Sequence, residues 1–420
     1  MKNVVQRFLA YLARKIVAKH KPRIIGITGS VGKTSAKEAI FLVVSQKYKA
    51  RKSPKNFNNE LGLPLAIIGV DSPGRNPLRW VSIILKSVFL ILIRQRYPEV
   101  LVLELGVDRP GDMEYLLSIV KPNVGVITNI GISHNEFFES SADIELEKGK
   151  LAQALTQQDV LILNADNEAA LRQKEKSSAK LLTYGVNSNN AEVKLTDIAE
   201  NFLGKVQTSF TVITSSRKFS AKINAVGLPH LSATASAVAV AEAWHIETDL
   251  ISLGLSQYRP APGRLNIIAG IKHTLIIDDS YNAAPDSAKE ALELLARIPA
   301  KQKIAVLGDM RELGSLSESA HKAVGEAAAK LHLDYLITVG EGGKIIAHGA
   351  KAVGMNEALV LSFNTADETK KSVQELLKPE SAVLIKGSQA VRLEKITKEI
   401  MAEPMRARDL LCRQDEKWLS

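Results

Sequence analysis

The sequence predicts an α/β fold in which a large parallel sheet is followed by a second, smaller α/β unit. Two observations carry this prediction. Continuously apolar runs such as VLVLEL at 100–105 alternate with helical segments in the first half of the chain, which is typical of parallel strands buried on both faces. A cluster of proline and glycine at 258–263 then precedes a second series of the same kind, and such clusters mark domain boundaries.

The elements follow one another in a regular order. The first strand is predicted at Arg23–Thr28, before a glycine-rich loop and a helix over residues 33–45. Shorter alternating runs between 190 and 226 indicate a small antiparallel patch that includes residues 209–214, and an Ala-rich helix follows at 231–244. The remaining strands of the first series are expected at 100–105, 124–129 and 160–164, and those of the second at 274–278, 304–308, 335–339 and 382–385.

The composition is that of a globular protein. The 420 residues are 45% hydrophobic and 24% charged, which leaves room for two or three domains. The single cysteine, Cys412, excludes an intrachain disulfide and a cysteine-rich metal site, and it suits a reducing cytoplasm. The net charge of +10 favours anionic small substrates or a membrane surface. Nucleic acid is the least favoured of the possible binding partners, because the sequence has neither zinc-finger spacing nor a basic array interleaved with aromatic residues.

Two apolar segments belong to neither series of strands and helices. Residues 1–22 place apolar side chains at helical spacing among basic ones. This predicts a basic amphipathic helix, which either docks on its own domain or lies on a membrane surface. Residues 80–93 (WVSIILKSVFLILI) are 14 residues between two arginines, fewer than the ~20 that a transmembrane helix needs. A span there would also separate residues 28–34 from Glu104, so a buried or interfacial helix is expected.

Residues 28–34, TGSVGKT, have the setting of a phosphate-binding loop, because they follow a predicted strand and open a predicted helix. The two glycines let successive backbone N–H groups point at phosphate oxygens, and the helix N-terminus adds partial positive charge. The lysine can neutralise the β- and γ-phosphates of a nucleotide, and the final threonine can ligate Mg²⁺. Ile27 occupies the first glycine position of the strict GxxxxGKT pattern. The residues expected to bind the nucleotide here are Gly29, Ser30, Val31, Gly32, Lys33 and Thr34.

Further segments form an ordered series from residue 23 to about 395. They are NFNNELGLP at 56–64, ELG at 104–106, TNIG at 128–131 with His134, NADN at 164–167, PGRL at 262–265, DDSYNA at 278–283, GDMRELG at 308–314 and KGS at 386–388. Together with TGSVGKT, this series resembles the Mur ligase family. DDSYNA and GDMRELG make it most similar to the D-alanyl-D-alanine-adding (MurF) branch. The fold class is accordingly α/β, with a central P-loop NTPase-like parallel sheet domain and a smaller C-terminal Rossmann-like domain.

The resemblance implies ATP-dependent chemistry. In this family ATP phosphorylates a carboxylate of a peptidoglycan precursor, and an amine then attacks the acyl phosphate. The implied metal ligands, for two Mg²⁺ ions, are Thr34, Glu104, His134 and Lys148, the last as a carbamate. A carboxylate that ends a buried apolar strand is costly unless it holds a cation, which independently favours a metal at Glu104. Neighbouring Lys150 leaves the register at Lys148 open.

The same resemblance implies roles in the second series and near the acceptor. Arg264 would stabilise charge on the transferring phosphoryl group, since a guanidinium fork matches phosphate geometry. Lys33, Glu104, His134, Lys148 and Arg264 form the implied catalytic set. Asp279, Tyr281 and Asn282 would contact ribose and base, Lys386 and Ser388 the incoming amino acid or dipeptide, and Asn58 and Asn59 the acceptor and γ-phosphate. Because these groups come from two domains, domain closure would assemble the site.

Two features depart from the family pattern. The family's His-Asn-x-x-Asn-Ala run is HLSATA at 230–235 here, so Thr234 stands where an asparagine reaches adenine, and nucleotide specificity stays open. The family's N-terminal domain, which binds the UDP-sugar, is expected to be lacking, because 22 residues precede the first strand. These departures suggest an acceptor that is not held through UDP, and a location in the cytoplasm, with the inner face of the membrane as an alternative.

The sequence therefore predicts a ligase that joins an acceptor carboxylate to an amino acid or D-Ala-D-Ala in MurF-like cell-wall precursor synthesis. Three alternatives stay open: a Mur-like ligase for a lipid-linked or non-murein acceptor, an inactive nucleotide-binding scaffold, and a P-loop NTPase coupled to transport or nucleic acid. The predicted domains are the helix 1–22, an ATP-binding domain 23–262 with an apolar insertion at about 76–98, and a C-terminal domain 263–420.

Overall fold

The computed structural model describes residues 2–54, 57–74, 76–93, 96–131, 137–138, 140–415 and 418. Within these ranges, one sheet contains nine strands and a second contains six. The first is mainly parallel and lies between two core clusters, and the second has its own cores on both faces. The predicted α/β class, with a large parallel sheet and a second C-terminal sheet, is therefore confirmed.

The first sheet has the strand order β2-β3-β1-β4-β5-β6-β7-β8-β9. Its strands are β1 Arg23–Thr28, β2 Ala50–Lys52, β3 Val100–Glu104, β4 Val124–Ile127, β5 Val160–Asn164, β6 Lys180–Gly185, β7 Val193–Asn201, β8 Gln207–Ile213 and β9 Lys218–Ile223. The helices of this unit are α1 Lys2–His20, α2 Lys33–Val44, α3 Gly62–Ile68, α4 Pro77–Leu92, α5 Asp112–Ile119, α6 Ser141–Gln153, α7 Glu168–Leu171, α8 Leu228–Ala243 and α9 Thr248–Ser256.

The second sheet has the order β10-β11-β15-β12-β13-β14 and is parallel except for its edge strand β10. Its strands are β10 Asn266–Ala269, β11 Leu275–Asp279, β12 Gln302–Gly308, β13 Tyr335–Val339, β14 Val360–Phe363 and β15 Ser381–Lys386. Its helices are α10 Pro285–Arg297, α11 Ser317–Ala329, α12 Glu341–Ala352, α13 Ala366–Leu376, α14 Glu394–Ile400 and α15 Ala407–Leu410.

The register of the central strands brings the phosphate loop and Glu104 to one edge of the sheet. Strand β1 lies between β3 and β4, all three are parallel, and Ile27 pairs with Glu104 while Thr28 pairs with Ile127. In the second sheet, Asp279 at the end of β11 pairs with Lys386 at the end of β15. Both sheets thus present polar groups at the carboxyl ends of parallel strands, where α/β folds bind ligands.

The sequence analysis missed four short strands, β2, β6, β10 and β14. These strands carry half-exposed or exposed side chains along part of their length, so they lack the continuous apolar run that identified the central strands. The expected antiparallel patch is present as β7, β8 and β9. It continues the first sheet, because β7 pairs in parallel with the end of β6.

Both apolar segments outside the strand series are helices. α1 buries Leu9, Leu12 and Ile16 against the first unit, so the predicted N-terminal helix docks on its own domain. α4 buries Ile83, Ser87 and Leu90 and leaves much of its surface exposed. None of the helices in the described ranges is both long enough and apolar enough to cross a membrane.

Candidate active site

A cavity of about 490 Å³ lies where the strand ends of the two sheets face each other. Its size falls in the range of small-molecule sites, ~300–1,000 Å³. Both units supply its walls, as the domain-closure expectation requires. The predicted site residues that line it are Ser30, Val31, Gly32, Lys33, Thr34, Asn58, Asn59, Glu104, Arg264, Asp279, Tyr281, Asn282 and Lys386.

The phosphate-binding loop is fixed against the next strand's end. The backbone N–H of Ser30 donates to the carbonyl of Asn129 at 2.7 Å, and the Thr128 hydroxyl donates to the carbonyl of Val31 at 2.6 Å. Gly29 has φ 149°, and a Cβ there would lie 2.2 Å from the Thr128 hydroxyl. Glycine is therefore required at this position both for its backbone conformation and for the close approach of the neighbouring loop.

Lys33 lies at the start of α2 with its amine turned back to the loop. Its Nζ donates to the carbonyls of Gly29 at 2.5 Å and Ser30 at 3.1 Å. Burial lowers the pKa of Lys33, and the nearby charge of Glu104 opposes this effect while that of Arg264 adds to it. Lys33 is thus a partly buried cation within range of charges from both units.

Glu104 is the centre of a buried polar cluster and is 2% exposed. It accepts hydrogen bonds from the Thr34 hydroxyl at 3.1 Å and from the Asn58 amide at 3.2 Å, and Lys37 lies 3.5 Å away. Burial by itself would raise the pKa of Glu104, but the charges of Lys37, Lys33 and Arg264 together outweigh it and hold the pKa below its usual value. The carboxylate is therefore ionised and aimed at the cavity, as a cation ligand must be.

Lys148 on α6 is 1% exposed, whereas Lys150 is bonded to Glu147 at 2.7 Å and is half-exposed. Burial first of all, and the charge of Lys33 in the same direction, lower the pKa of Lys148 to about 7. Lys148 does not line the cavity, but it lies near enough to Lys33 for the two charges to interact. Of the two neighbouring lysines, Lys148 is therefore the buried one, whose charge interacts with that of Lys33.

The second unit contributes an ordered set of charges. Asp279 accepts a bond from Lys386 Nζ at 2.6 Å, and its other oxygen accepts from the backbone N–H of Leu265 at 3.1 Å. Arg264 stacks over the Tyr281 ring with 4.2 Å between the guanidinium carbon and the ring centroid. Ser388 lies beneath the cavity wall, where its hydroxyl accepts from the backbone N–H of Arg311 at 2.8 Å.

The nucleotide-base end of the cavity differs from the family pattern in a definite way. The Thr234 hydroxyl is fully buried and donates to the carbonyl of His230 in its own helix at 2.8 Å. His230 is bonded to the Tyr258 hydroxyl at 2.8 Å, and burial lowers its pKa to about 4. His230 lines the cavity and Thr234 does not. Thr234 therefore has no direct route to a base in this cavity.

One predicted metal ligand, His134, and the first residue of the acceptor-side motif, Asn56, lie outside the described residues. In the ranges that are described, no group of three His, Cys, Asp or Glu side chains could hold a metal. The oxygen atoms of Thr34 and Glu104 suit Mg²⁺, and the bond between them shows that they reach one point. Thr34 and Glu104 are two of the four metal ligands that the sequence predicts.

The chain matches two conserved domains in sequence, the Mur ligase middle domain over residues 83–241 and the Mur ligase glutamate ligase domain over 263–389. It is 30% identical over 398 residues to the UDP-N-acetylmuramoyl-tripeptide--D-alanyl-D-alanine ligase of Bacillus subtilis, which covers 94% of this chain and 80% of the relative. The chain belongs to the Mur ligase family.

Solved structures agree with this assignment. MurF from Acinetobacter baumannii superposes with a TM-score of 0.79 at 26% identity, over 96% of this chain and 80% of that one. MurF ligase from Thermotoga maritima in complex with ADP gives a TM-score of 0.78 at 26% identity, over 96% of this chain and 84% of that one. This Mur ligase therefore has the MurF fold in both of its catalytic units.

Several groups in the ligase site were not singled out from the sequence. Lys37 could have been found from the sequence, because it lies four positions after Lys33 and so on the same face of α2. Glu290 had no sequence signal, since only the packing of α10 buries it and raises its pKa to about 7. The other lining residues with polar side chains that the analysis left out include Asp108, Asn129, Asn187, Arg311 and Gln389.

Lys37 is, with Lys33, a second lysine whose charge acts on Glu104, and its contribution can be tested by mutation. We expect Lys37→Met to lower the free energy of unfolding by about 1–3 kcal/mol, because it leaves a buried carboxylate short of a counter-charge, and to lower kcat about 10- to 100-fold. Urea denaturation and ADP release would measure the two effects. The double variant Lys37→Met, Glu104→Gln should be more stable than the sum of the single losses predicts. Strict additivity would show that the two side chains do not interact.

Proposed function

We propose that this protein is an ATP-dependent ligase that joins D-Ala-D-Ala to the carboxylate of a UDP-N-acetylmuramoyl-tripeptide. One observation carries the proposal: a phosphate-binding loop and an ionised Glu104 from one unit share a single cavity with Arg264 and Lys386 from the other. An inactive scaffold would not need to keep buried charges from both units together, since each such group is costly to bury. The substrates are those that name the similar Bacillus subtilis ligase.

The first step is transfer of the γ-phosphoryl group from ATP to the acceptor carboxylate. A carboxylate oxygen forms a bond to phosphorus, the bond to the β-phosphate bridging oxygen breaks, and ADP leaves. Lys33 and the loop N–H groups hold the phosphates, and Arg264 approaches from the opposite wall to stabilise the charge on the moving group. Closing the two units around the acyl phosphate keeps water from hydrolysing it.

The second step is attack of the incoming amine on the acyl carbon. The new C–N bond forms, inorganic phosphate leaves, and the amine loses a proton. Lys386 would pair with the dipeptide's carboxylate and is held in position by Asp279. Glu290 lines the same wall, and burial raises its pKa to about 7. A carboxylate with that pKa is suited to accept the proton at neutral pH.

Two Mg²⁺ ions are part of the proposal. Thr34 and Glu104 would hold one, and His134 with a carbamylated Lys148 would hold the other. When bound, the ions supply positive charge that screens the phosphates. The features that favour a carbamate are the complete burial of Lys148 and its position beside Lys33, because carbamylation replaces a costly buried cation with an anion that offsets Lys33.

The acceptor side admits a second candidate. The same chemistry could serve a carboxylate acceptor carried on a lipid, and the predicted lack of a UDP-binding domain stays a prediction. The observation that favours this candidate is the apolar, basic surface of α1 and α4, since a lipid-linked acceptor would be met at a membrane. Asn58, Asn59 and a second cavity of about 220 Å³ beside Gly106 and Asp108 would then receive the acceptor.

The domain boundaries also belong to this proposal. The unit 23–262, with its apolar insertion at about 76–98, would bind the phosphates, and the unit 263–420 would supply Arg264 and the dipeptide groups. Nucleotide specificity stays a matter for measurement, because Thr234 bonds within its own helix. Comparing ATP with GTP at equal concentration in the assay below would establish it.

The test is ADP release with acceptors and amines supplied separately and together. UDP-N-acetylmuramoyl-tripeptide and a lipid-linked muropeptide would each be crossed with D-Ala-D-Ala and with single amino acids. Release that needs both a carboxylate and an amine would support the ligase. Release without either would favour a plain ATPase and contradict the proposal, and release only with the lipid-linked acceptor would favour the second candidate. Mass spectrometry of the product would identify the new amide bond.

A further inference from the structure

The helix α4 carries its apolar surface on the outside. Its largest exposed side chains recur at helical spacing, and the three leucines among them are 64–78% exposed. Its buried side includes a serine, Ser87. A helix that only packs on its own domain has a polar outer side, whereas α4 is apolar on its outer side as well as at the buried Ile83 and Leu90. The exposed stripe consists of Leu78, Val81, Leu85, Val88, Phe89 and Leu92.

Helix α1 extends this surface. It exposes Val4, Val5, Phe8 and Tyr11, and it packs against α4, where Lys19 Nζ donates to the carbonyl of Ile91 at 2.7 Å. The inner sides of both helices enter the same core cluster, so their outer sides face away from the same core. We call the exposed apolar residues of the two helices the α1–α4 face. Contiguous apolar surface of this kind marks an interaction site in a folded protein.

The two chain segments that form the α1–α4 face carry basic residues and no acidic ones. Residues 1–22 and 76–98 contain 10 Lys and Arg and no Asp or Glu, whereas the rest of the chain contains 45 basic and 45 acidic residues. The net charge of +10 therefore comes from the two segments that include α1 and α4. Arg7, Lys15 and Arg79 are exposed among the apolar side chains.

We propose that the α1–α4 face docks on an anionic phospholipid bilayer, lying in its interface without crossing it. Apolar side chains of this size enter the boundary between headgroups and acyl chains, while the surrounding cations meet lipid phosphates. A second copy of the chain is a poor occupant, because pairing two such faces would bring their positive charges together. The inference goes beyond the ligase chemistry and does not depend on which acceptor the enzyme uses.

Docking in this way would bring the acceptor side of the enzyme close to the membrane. Burial is the largest cause that raises the pKa of Tyr115, and the charge of Glu60 raises it as well. The charges of Arg14 and Arg7 on α1 lower it. Glu60 also lines the second cavity, which shares Asn59 and Gly106 with the main one. Helix α1 packs on α5, and Asp112 and Leu116 of α5 line the second cavity, so that cavity would be near the lipid headgroups.

The experiment is co-sedimentation of the full-length protein with vesicles of phosphatidylcholine alone and with added phosphatidylglycerol. We expect binding to the anionic vesicles that weakens as salt is raised. The triple variant Leu78→Ser, Leu85→Ser, Leu92→Ser should bind at least about tenfold more weakly. The variant Arg7→Gln, Lys15→Gln, Arg79→Gln should lose about 5-fold per charge on anionic vesicles and be unchanged on phosphatidylcholine.

A matched control comes from exposed apolar residues elsewhere, Leu203, Leu253 and Met405, replaced together by serine. The control should pellet like the unmodified protein. Equal pelleting of the Leu78, Leu85, Leu92 variant and the control would overturn the proposal. A dimer of the unmodified protein in the absence of lipid, detected by light scattering and converted to a monomer by this variant, would also overturn it. Melting temperature and ATP affinity should be the same in all variants, so that loss of docking is measured apart from the ligase site.

Discussion

Replacing Lys33 with methionine should lower kcat for ADP release by about 10³-fold or more. Lys33 is the cation at the start of α2 that we propose to bind the nucleotide phosphates, and donors aimed at a phosphoryl group in a closed site carry effects of this size. Its amine already turns toward the loop, donating to the carbonyls of Gly29 and Ser30. The variant should therefore fail at chemistry as well as at nucleotide binding.

The stability of this variant distinguishes lost chemistry from lost folding. Burial lowers the pKa of Lys33 in the folded protein, so the charged form of the amine is held at a cost that methionine does not have. The lost hydrogen bonds act in the opposite direction, by about 1 kcal/mol each. The free energy of unfolding measured in urea should change by less than about 2 kcal/mol. Replacing exposed Lys121 by methionine is the control and should alter neither quantity.

Replacing Lys148 with methionine should have the second largest effect, a loss of about 10²-fold or more in kcat. The carbamate proposal makes this loss depend on carbon dioxide. Removing CO₂ from the buffer should lower the activity of the unmodified enzyme, and added bicarbonate should restore it. The Lys148→Met variant should not respond to bicarbonate, and Lys150→Met should keep most of its activity. An unmodified enzyme that is indifferent to bicarbonate would contradict the carbamate.

The pKa of Lys148 also predicts how the protein responds to pH. With the folded pKa lowered from 10.5 to about 7, the folded protein binds fewer protons than the unfolded chain between these values. In CO₂-free buffer the free energy of unfolding should therefore rise with pH from about 7 toward 10.5. Below about pH 7 the amine is an ammonium that cannot form a carbamate, so bicarbonate should cease to activate the enzyme. The Lys148→Met variant should lack this part of the stability slope.

Much of the candidate active site could be predicted from the sequence, because its residues lie at the carboxyl ends of strands. TGSVGKT follows β1, Glu104 ends β3 and Asp279 ends β11. A strand with a continuous apolar run is visible in the sequence, and in a parallel sheet the groups at its carboxyl end meet those of neighbouring strands. The order of the family's segments then assigned chemistry to these groups.

The groups that sequence reasoning could not find lie on helix faces and under loops. Glu290 is recognisable only by the burial that raises its pKa to about 7. Ser388, expected from the sequence to contact the substrate, does not line the cavity, and its hydroxyl accepts a hydrogen bond from the backbone of Arg311. Its role in substrate binding stays a prediction. Whether a polar side chain reaches the cavity depends on packing around it, and packing has no local sequence pattern.

The phosphate-binding loop, the two-sheet fold and the family were determined by the sequence alone, because strand runs and motifs are local in the chain. The tertiary structure distinguished Lys148, which is buried, from Lys150, which is half-exposed and bonded to Glu147, since burial depends on how α6 packs. It also decided which way α4 faces. The apolar run of residues 80–93 contains enough hydrophobic side chains for either side of a helix, and only the packed position of α4 shows that its largest apolar stripe points outward.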